Sequence, residues 1–380
     1  MLFSEIIGQE HIKSHLKTTV DNQRISHAQL FIGTEGSGTL VSAIAYAQYL
    51  LCAHSNNKES CALKCEKLAH PDLHFAFPVA INTSVKKHPV SNLFLEEWRN
   101  FIQEKPYGSL IDWYQEIQIE NKQGKIGVEE AQEIVKSLKL KAYEGGYKVM
   151  VIWMAEKMNI EASNKLLKLI EEPPENTVFL LVAEDEDKLL NTILSRCQIL
   201  KFPVLSEKDI ADGLIERENS FPAEAAKIAV QSDGNYNKAL QILKQDSNDL
   251  LYEEWFINWV RSAFKAKGNP AVIQNLVQWS EVIAKTGRET QKNFLQYCLQ
   301  FFRQAMLFNF NAKELVFLET QTQGFSMEKF APFVHSGNII AIEKEISDAM
   351  YHIERNGNPK IILLDTSIKL TRLLHSKEKA

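Results

Sequence analysis

No apolar run in this 380-residue chain approaches the roughly 20 residues a membrane span requires, which argues against a transmembrane protein. The opening Met1-Leu2-Phe3-Ser4-Glu5-Ile6-Ile7 meets acidic and polar residues too soon for the long apolar core of a secretory leader. Cysteines number five, an odd count with three of them clustered, which suits a reducing compartment better than a disulfide framework. Positive charge is also in short supply. Lys and Arg total 43 against 48 Asp and Glu, so the net charge of −5 argues against nucleic-acid binding through an overall positive field and leaves local basic surfaces open. Repeats of solenoid type are missing as well. These absences predict a cytoplasmic protein, and the 45% hydrophobic content is ample for the cores of two or three domains.

A more telling deficit lies in one loop. Gly33-Thr34-Glu35-Gly36-Ser37-Gly38-Thr39-Leu40 follows the apolar, strand-like Gln29-Leu30-Phe31-Ile32 and precedes a helix-like run through Ala43, Ala45 and Ala47. Context and glycine spacing are those of a Walker A loop, G-x-x-x-x-G-K-[ST], whose backbone amides cradle phosphates. Thr39 stands where the lysine belongs, and Leu40 where the magnesium-binding hydroxyl belongs. Gly33, Gly36, Gly38 and Thr39 are therefore the candidate remnants of a phosphate cradle, able at most to attract an anion to a helix N-terminus.

The second nucleotide motif shows a matching loss. Val149-Met150-Val151-Ile152 is followed by Trp153-Met154, where a Walker B strand carries Asp-Glu. Trp153 thus occupies the magnesium-aspartate position and Met154 that of the water-polarising glutamate. Glu156 falls three residues too late to substitute, and its expected fate is a solvated turn or a structural pairing. ATP hydrolysis relies mainly on electrostatic stabilisation, so losing the lysine, both metal ligands and the carboxylate should abolish turnover. A third element survives. Ser195-Arg196-Cys197 lies between a helix-like stretch containing Leu189-Leu190 and Ile193-Leu194 and the strand-like Ile199-Leu200-Lys201-Phe202. From such an edge Arg196 can project toward a neighbouring subunit as an arginine finger, worth about 10³–10⁵ in rate.

Residues 1–203 alternate strand-like and helix-like segments, predicting α/β architecture with parallel strands. Tyr147 to Trp153 and Thr177 to Val182 read as buried strands; Asn159 reads as the cap of a helix that must end before Pro173-Pro174. Residues 80–125 interrupt the alternation with Phe94, Trp98, Phe101, Tyr107, Trp113 and Tyr114, the mark of a partly helical insertion whose aromatics could make a partner surface, local packing being the expected use. From Ser206 onward helical periodicity takes over. Gly234 marks a turn between two short helices, and Leu250-Leu251, Trp255-Phe256, Trp259-Val260 and Phe264 read as a helix core, as do Phe294, Tyr297-Cys298 and Phe301-Phe302. The tail from His375 to Ala380 reads as frayed.

Together these residues resemble the delta-prime family of bacterial replicative clamp-loader subunits, which are AAA+ proteins. The resemblance rests on Ile7-Gly8-Gln9, on His27 to Gly33, on His70-Pro71-Asp72-Leu73, on Ala162 through Asn164-Lys165-Leu166-Leu167-Lys168 to Glu171-Glu172-Pro173-Pro174, and on Ser195-Arg196-Cys197. It covers the N-terminal half specifically and the helical C-terminal third only in general character. It implies a P-loop AAA+ domain over 1–203, a small helical lid over 204–247, and an all-α collar over 248–380. The implied assembly is a pentameric ring with gamma/tau-like motor subunits and a delta-like subunit, which opens the sliding clamp and places it on primed DNA. Within it this chain would hydrolyse no ATP itself. Arg196, between Ser195 and Cys197, would reach the ATP bound by an adjacent motor subunit.

The same family carries a four-cysteine zinc module after the P-loop helix. Here the stretch 52–74 offers only Cys52, Cys61 and Cys65, so a structural zinc would need His54, His70 or His74 as fourth ligand. Three free thiols in a retained loop are the alternative. Two other readings of the whole chain compete: an active AAA+ ATPase with a divergent pocket, and a DNA-binding scaffold using the insertion.

Overall fold

The computed structural model describes residues 2–55, 57–119, 122–144, 146–244, 247–266, 269–312, 316, 320, 322 and 324–376. It divides into two compact units, one of residues 1–119 with 123–243 and the other of 120–122 with 244–380.

The first unit is built on five parallel strands: β1 (Ala28–Ile32), β2 (Leu73–Ala76), β3 (Lys148–Trp153), β4 (Thr177–Ala183) and β5 (Gln198–Lys201), in spatial order β2-β3-β4-β1-β5. Strands β1, β3 and β4 are buried along their whole length, as continuous apolar runs require when helices cover both faces, whereas β5 is an exposed edge. Successive side chains alternate between two cores. Phe31, Val149, Val151, Trp153, Val178, Leu180 and Val182 share one; Leu30, Ile32, Met150, Ile152, Phe179 and Leu181 share the other.

Helices α1 (Glu10–Asp21), α2 (Thr39–Ala53) and α3 (Lys58–Glu66) precede the insertion, which contributes α4 (Leu95–Glu104) and α5 (Leu110–Glu116). Then come α6 (Val128–Leu138), α7 (Ile160–Glu171), the single turn α8 (Asn191–Leu194), α9 (Glu207–Glu218), α10 (Pro222–Ser232) and α11 (Tyr236–Leu243). Local chemistry accounts for several boundaries. The Asn159 side chain accepts from the Ala162 amide at 2.8 Å and so caps α7, while Pro173-Pro174 stops it; Pro222 sits in the first turn of α10, where its missing N–H costs nothing. The insertion is packed, as expected: Phe94, Trp98, Phe101, Tyr107, Trp113 and Tyr114 all lie in the first core. Leu189-Leu190, expected to be helical, are extended between a 3₁₀ turn (Glu186–Lys188) and α8.

The second unit is helical: α12 (Ser247–Ala266), α13 (Pro270–Ala284), α14 (Arg288–Asn309), α15 (Met327–Phe330), α16 (Ile339–Glu354) and α17 (Pro359–Leu373). Phe256, Trp259, Phe294, Cys298, Phe301 and Phe302 form its core, with Trp259 stacked on Trp279 and donating its indole N–H to Ser367 Oγ at 2.8 Å. Leu250, Leu251 and Phe264 depart from the expected stripe and are exposed, Phe264 lying against Phe333 and the His375 ring. Of the tail expected to fray, His375 and Ser376 are described, and 377–380 lie outside the described residues. No helix among the described residues is long and apolar enough to cross a membrane.

Candidate functional site

In an open parallel sheet, ligands bind beyond the carboxyl ends of the strands, and here the diagnostic residues gather at those ends. The loop after β1 turns through Gly36 and Gly38, both at positive φ (71° and 90°), and delivers Thr39 to the first turn of α2. The Gly33 amide donates to the Ala183 carbonyl at 3.2 Å, fixing the loop to the end of β4. Strand β3 ends on Trp153, paired with Val182 of β4, which in turn pairs with Phe31 of β1, so the Walker B position stands one strand away from the loop.

The chain's own groups cover this cradle. Tyr236 N–H donates to the Gly36 carbonyl, and a β-carbon on Gly36 would lie 1.9 Å from Asn235 Oδ1, so the turn between α10 and α11 sits directly on the loop. Asn235 and Asn237 donate to Glu35 Oε1 at 3.2 and 3.4 Å; burial pushes the Glu35 carboxyl up despite these bonds, with Asp112 adding repulsion. From the insertion, the Tyr107 ring lies against Gly38 and edge-on to Tyr236, while its hydroxyl accepts from the Ile7 amide at 2.8 Å. Gln9 donates to the carbonyls of Ser37 and Pro203 at 3.0 and 2.7 Å, joining the loop to the segment after β5.

At the Walker B position the substitution is structural as well as chemical. Trp153 is 4% exposed and packs on Trp98 and Phe101, ring centroids 5.3 and 5.8 Å away, within a cluster that includes Phe77 and Trp113. Met154, buried at positive φ, adds no polar atom. Glu156 takes the structural pairing rather than the solvated turn: Oε1 accepts from the Glu184 amide at 3.0 Å at the end of β4, and burial pushes its carboxyl up. Its Oε2 is buried without a hydrogen-bond partner.

Arg196 stands apart from this apolar wall, in the turn between α8 and the edge strand β5. Its Nε donates to Glu171 Oε2 at 3.0 Å, and its Nη1 to the Thr192 carbonyl at 3.0 Å and Ser195 Oγ at 3.4 Å. Ser195 Oγ in turn donates to the Thr192 carbonyl at 3.3 Å. Cys197 packs against the second core, where burial pushes its thiol up to about 11, too high for a reactive thiolate. The Glu171 contact was invisible from the sequence, since 25 positions separate the pair; the one hint was two carboxylates closing a helix.

The cysteines do converge, with the sulfurs of Cys52, Cys61 and Cys65 within 4.8 Å of one another. Their arrangement is not that of three thiols, however. Cys52 and Cys61 are joined as a disulfide between the end of α2 and α3, with Cα atoms 5.6 Å apart, and Cys65 lies 4.0 Å from Cys61 with its thiol pushed up to about 12 by burial. Of the three candidate histidines, only His70 stands in this neighbourhood, grouped with Cys61 and Glu144 and with Nε2 3.5 Å from Glu144 Oε2. His54 is bonded to the Leu50 carbonyl and rests on Tyr147; His74 lies on β2, with burial lowering its basicity. The described residues thus offer two three-donor groups sharing Cys61 instead of one four-donor set, and the disulfide withdraws two sulfurs. Each group could hold a metal ion, and His70 Nε2 is buried without a hydrogen-bond partner; a structural zinc there would require Cys52 and Cys61 as thiolates, so no role is assigned to one.

Comparison with known proteins gives the family. Residues 8–206, more than half of the chain, match the family model described as DNA polymerase III, delta subunit. The chain belongs to that family. It is 29% identical over 243 residues to the DNA polymerase III subunit delta′ of Bacillus subtilis, covering 63% of this chain and 60% of that one. It is 28% identical over 260 residues to the tau subunit of the same organism, covering 66% of this chain and 39% of that protein. The chain therefore spans less than two thirds of either relative. Among solved structures, a gamma subunit-related protein of Thermotoga maritima aligns over 95% of this chain and 99% of its own, at 15% identity and a TM-score of 0.32, too low to compare how the parts are arranged. As a member of the DNA polymerase III clamp-loader family, this chain has a parallel five-stranded P-loop sheet flanked by helices, followed by further helices.

Proposed function

We propose that this chain is a non-hydrolysing, delta-prime-like subunit of a replicative clamp loader, helping to load a sliding clamp on primed DNA. Its contribution to catalysis is Arg196, donated to ATP bound by an adjacent motor subunit of the gamma/tau type, so ATP belongs to the neighbour. In this reading a delta-like subunit completes the pentameric ring, residues 204–247 act as a lid and residues 248–380 as the collar that holds the ring together.

One observation carries the reading: the magnesium-holding carboxylate has been replaced by Trp153, sealed by Trp98 and Phe101. Without the Thr39-position lysine and that carboxylate, charge on a transferring phosphoryl would meet apolar surface in place of countercharge. The alternative of an active ATPase with a divergent pocket would need a metal-holding carboxylate at the strand end, and Glu156, the nearest in sequence, stands three residues past that position with Oε1 on the Glu184 amide. Purified alone with Mg-ATP, the chain should release no phosphate above a buffer blank. Steady release that survives further purification would overturn the reading. Restoring the two loop residues, Thr39→Lys with Leu40→Ser, should still leave hydrolysis undetectable, because the β3 end stays apolar.

A further inference from the structure

We propose that Glu171 is a positioning residue for Arg196, orienting the guanidinium so that one nitrogen is presented to the neighbour's phosphate; this rests on the trans-acting role given to Arg196 above. The guanidinium is held at two corners. Nε donates to Glu171 Oε2 at 3.0 Å, and Nη1 donates to the Thr192 carbonyl at 3.0 Å. Nη2 has no partner among the described residues, and the side chain is 31% exposed. An arginine left free samples many rotamers, and ordering it at the moment of reaction costs entropy; two fixed corners remove that cost in advance and leave the third for an anion.

The location of Glu171 supports a positioning role over a purely structural one. It is the last residue of α7, where the helix dipole presents its negative end and a carboxylate is disfavoured. The Glu171 side chain is also 56% exposed, in the range where ion pairs contribute little to stability. Removing its charge should therefore leave folding unchanged or slightly improved, so any loss of function is separable from loss of structure.

The test is a double-mutant cycle in the assembly reconstituted with motor subunits, sliding clamp and primed DNA, reading kcat and KM for Mg-ATP. Glu171→Ala should lower stimulated kcat roughly threefold to tenfold with KM and assembly unchanged, within the range coupled neighbours show. Glu171→Gln, which keeps an acceptor oxygen for Nε, should lose less. Neither change should matter once Arg196→Ala is present. A Glu171→Ala assembly as fast as the native one, or faster, overturns the proposal, as does an equal loss in the Arg196→Ala background. An Arg196→Ala assembly with native activity marks a different failure, that of the trans-acting role itself.

Discussion

Trp153 puts an indole where a P-loop enzyme keeps its magnesium carboxylate, and Trp98 and Phe101 pack against it. The sequence alone exposed the losses at Thr39, Leu40, Trp153 and Met154, because motif spacing fixes where each group must stand. What filled the space could not be read that way, since Trp98 and Phe101 reach Trp153 from more than 50 positions away. Removing that filling should be costly: Trp153→Ala is expected to destabilise the first unit by about 3–5 kcal/mol, the range for deleting a buried aromatic, as measured by denaturant unfolding. Glu130 makes a second residue-scale prediction. Its carboxyl, buried on α6 and accepting from the Ser91 amide, is pushed up to about 7 by burial. The native state therefore keeps a proton that the unfolded chain releases near 4.5, so this contribution is full below that pH and lost as pH rises through about 7. Glu130→Gln should flatten that slope and gain on the order of 3 kcal/mol at pH 8 relative to the native chain. Equal unfolding midpoint shifts at pH 5 and pH 8 would contradict it.

At the scale of elements, strands β1, β3 and β4 and helix α7 followed directly from apolar runs, the Asn159 cap and the Pro173-Pro174 stop. The turn between α10 and α11 was readable as a turn through Gly234, but its landing place on the P-loop was not. That contact joins Asn235 to Glu35 across 200 positions and depends on Gly36 having no side chain. Gly36→Ala should therefore dislodge the turn, lowering the unfolding free energy by about 1–3 kcal/mol from steric overlap and the positive φ. Amide exchange around 234–238 should quicken in that variant, and unchanged protection there would contradict the contact. Spacing also suggested a worn metal module, and the structure brings Cys52, Cys61 and Cys65 together, with Cys52 and Cys61 paired between the consecutive helices α2 and α3.

For the molecule as a whole, the division near residue 243 separates a family-defining sheet unit from a helical unit that the family model does not reach. The sheet unit carries Thr39, Leu40 and Trp153 at the nucleotide-handling positions and a part-exposed guanidinium at its edge, and the proposed ring gives that combination a use. The most direct measurement takes an assembly in which only the motor subunit adjoining Arg196 keeps its own P-loop lysine, and compares clamp- and DNA-stimulated ATP hydrolysis with the native chain and with Arg196→Ala. The account predicts a fall of about tenfold or more, at least about 1.4 kcal/mol of barrier, with assembly intact. Equal rates from the two assemblies would contradict it.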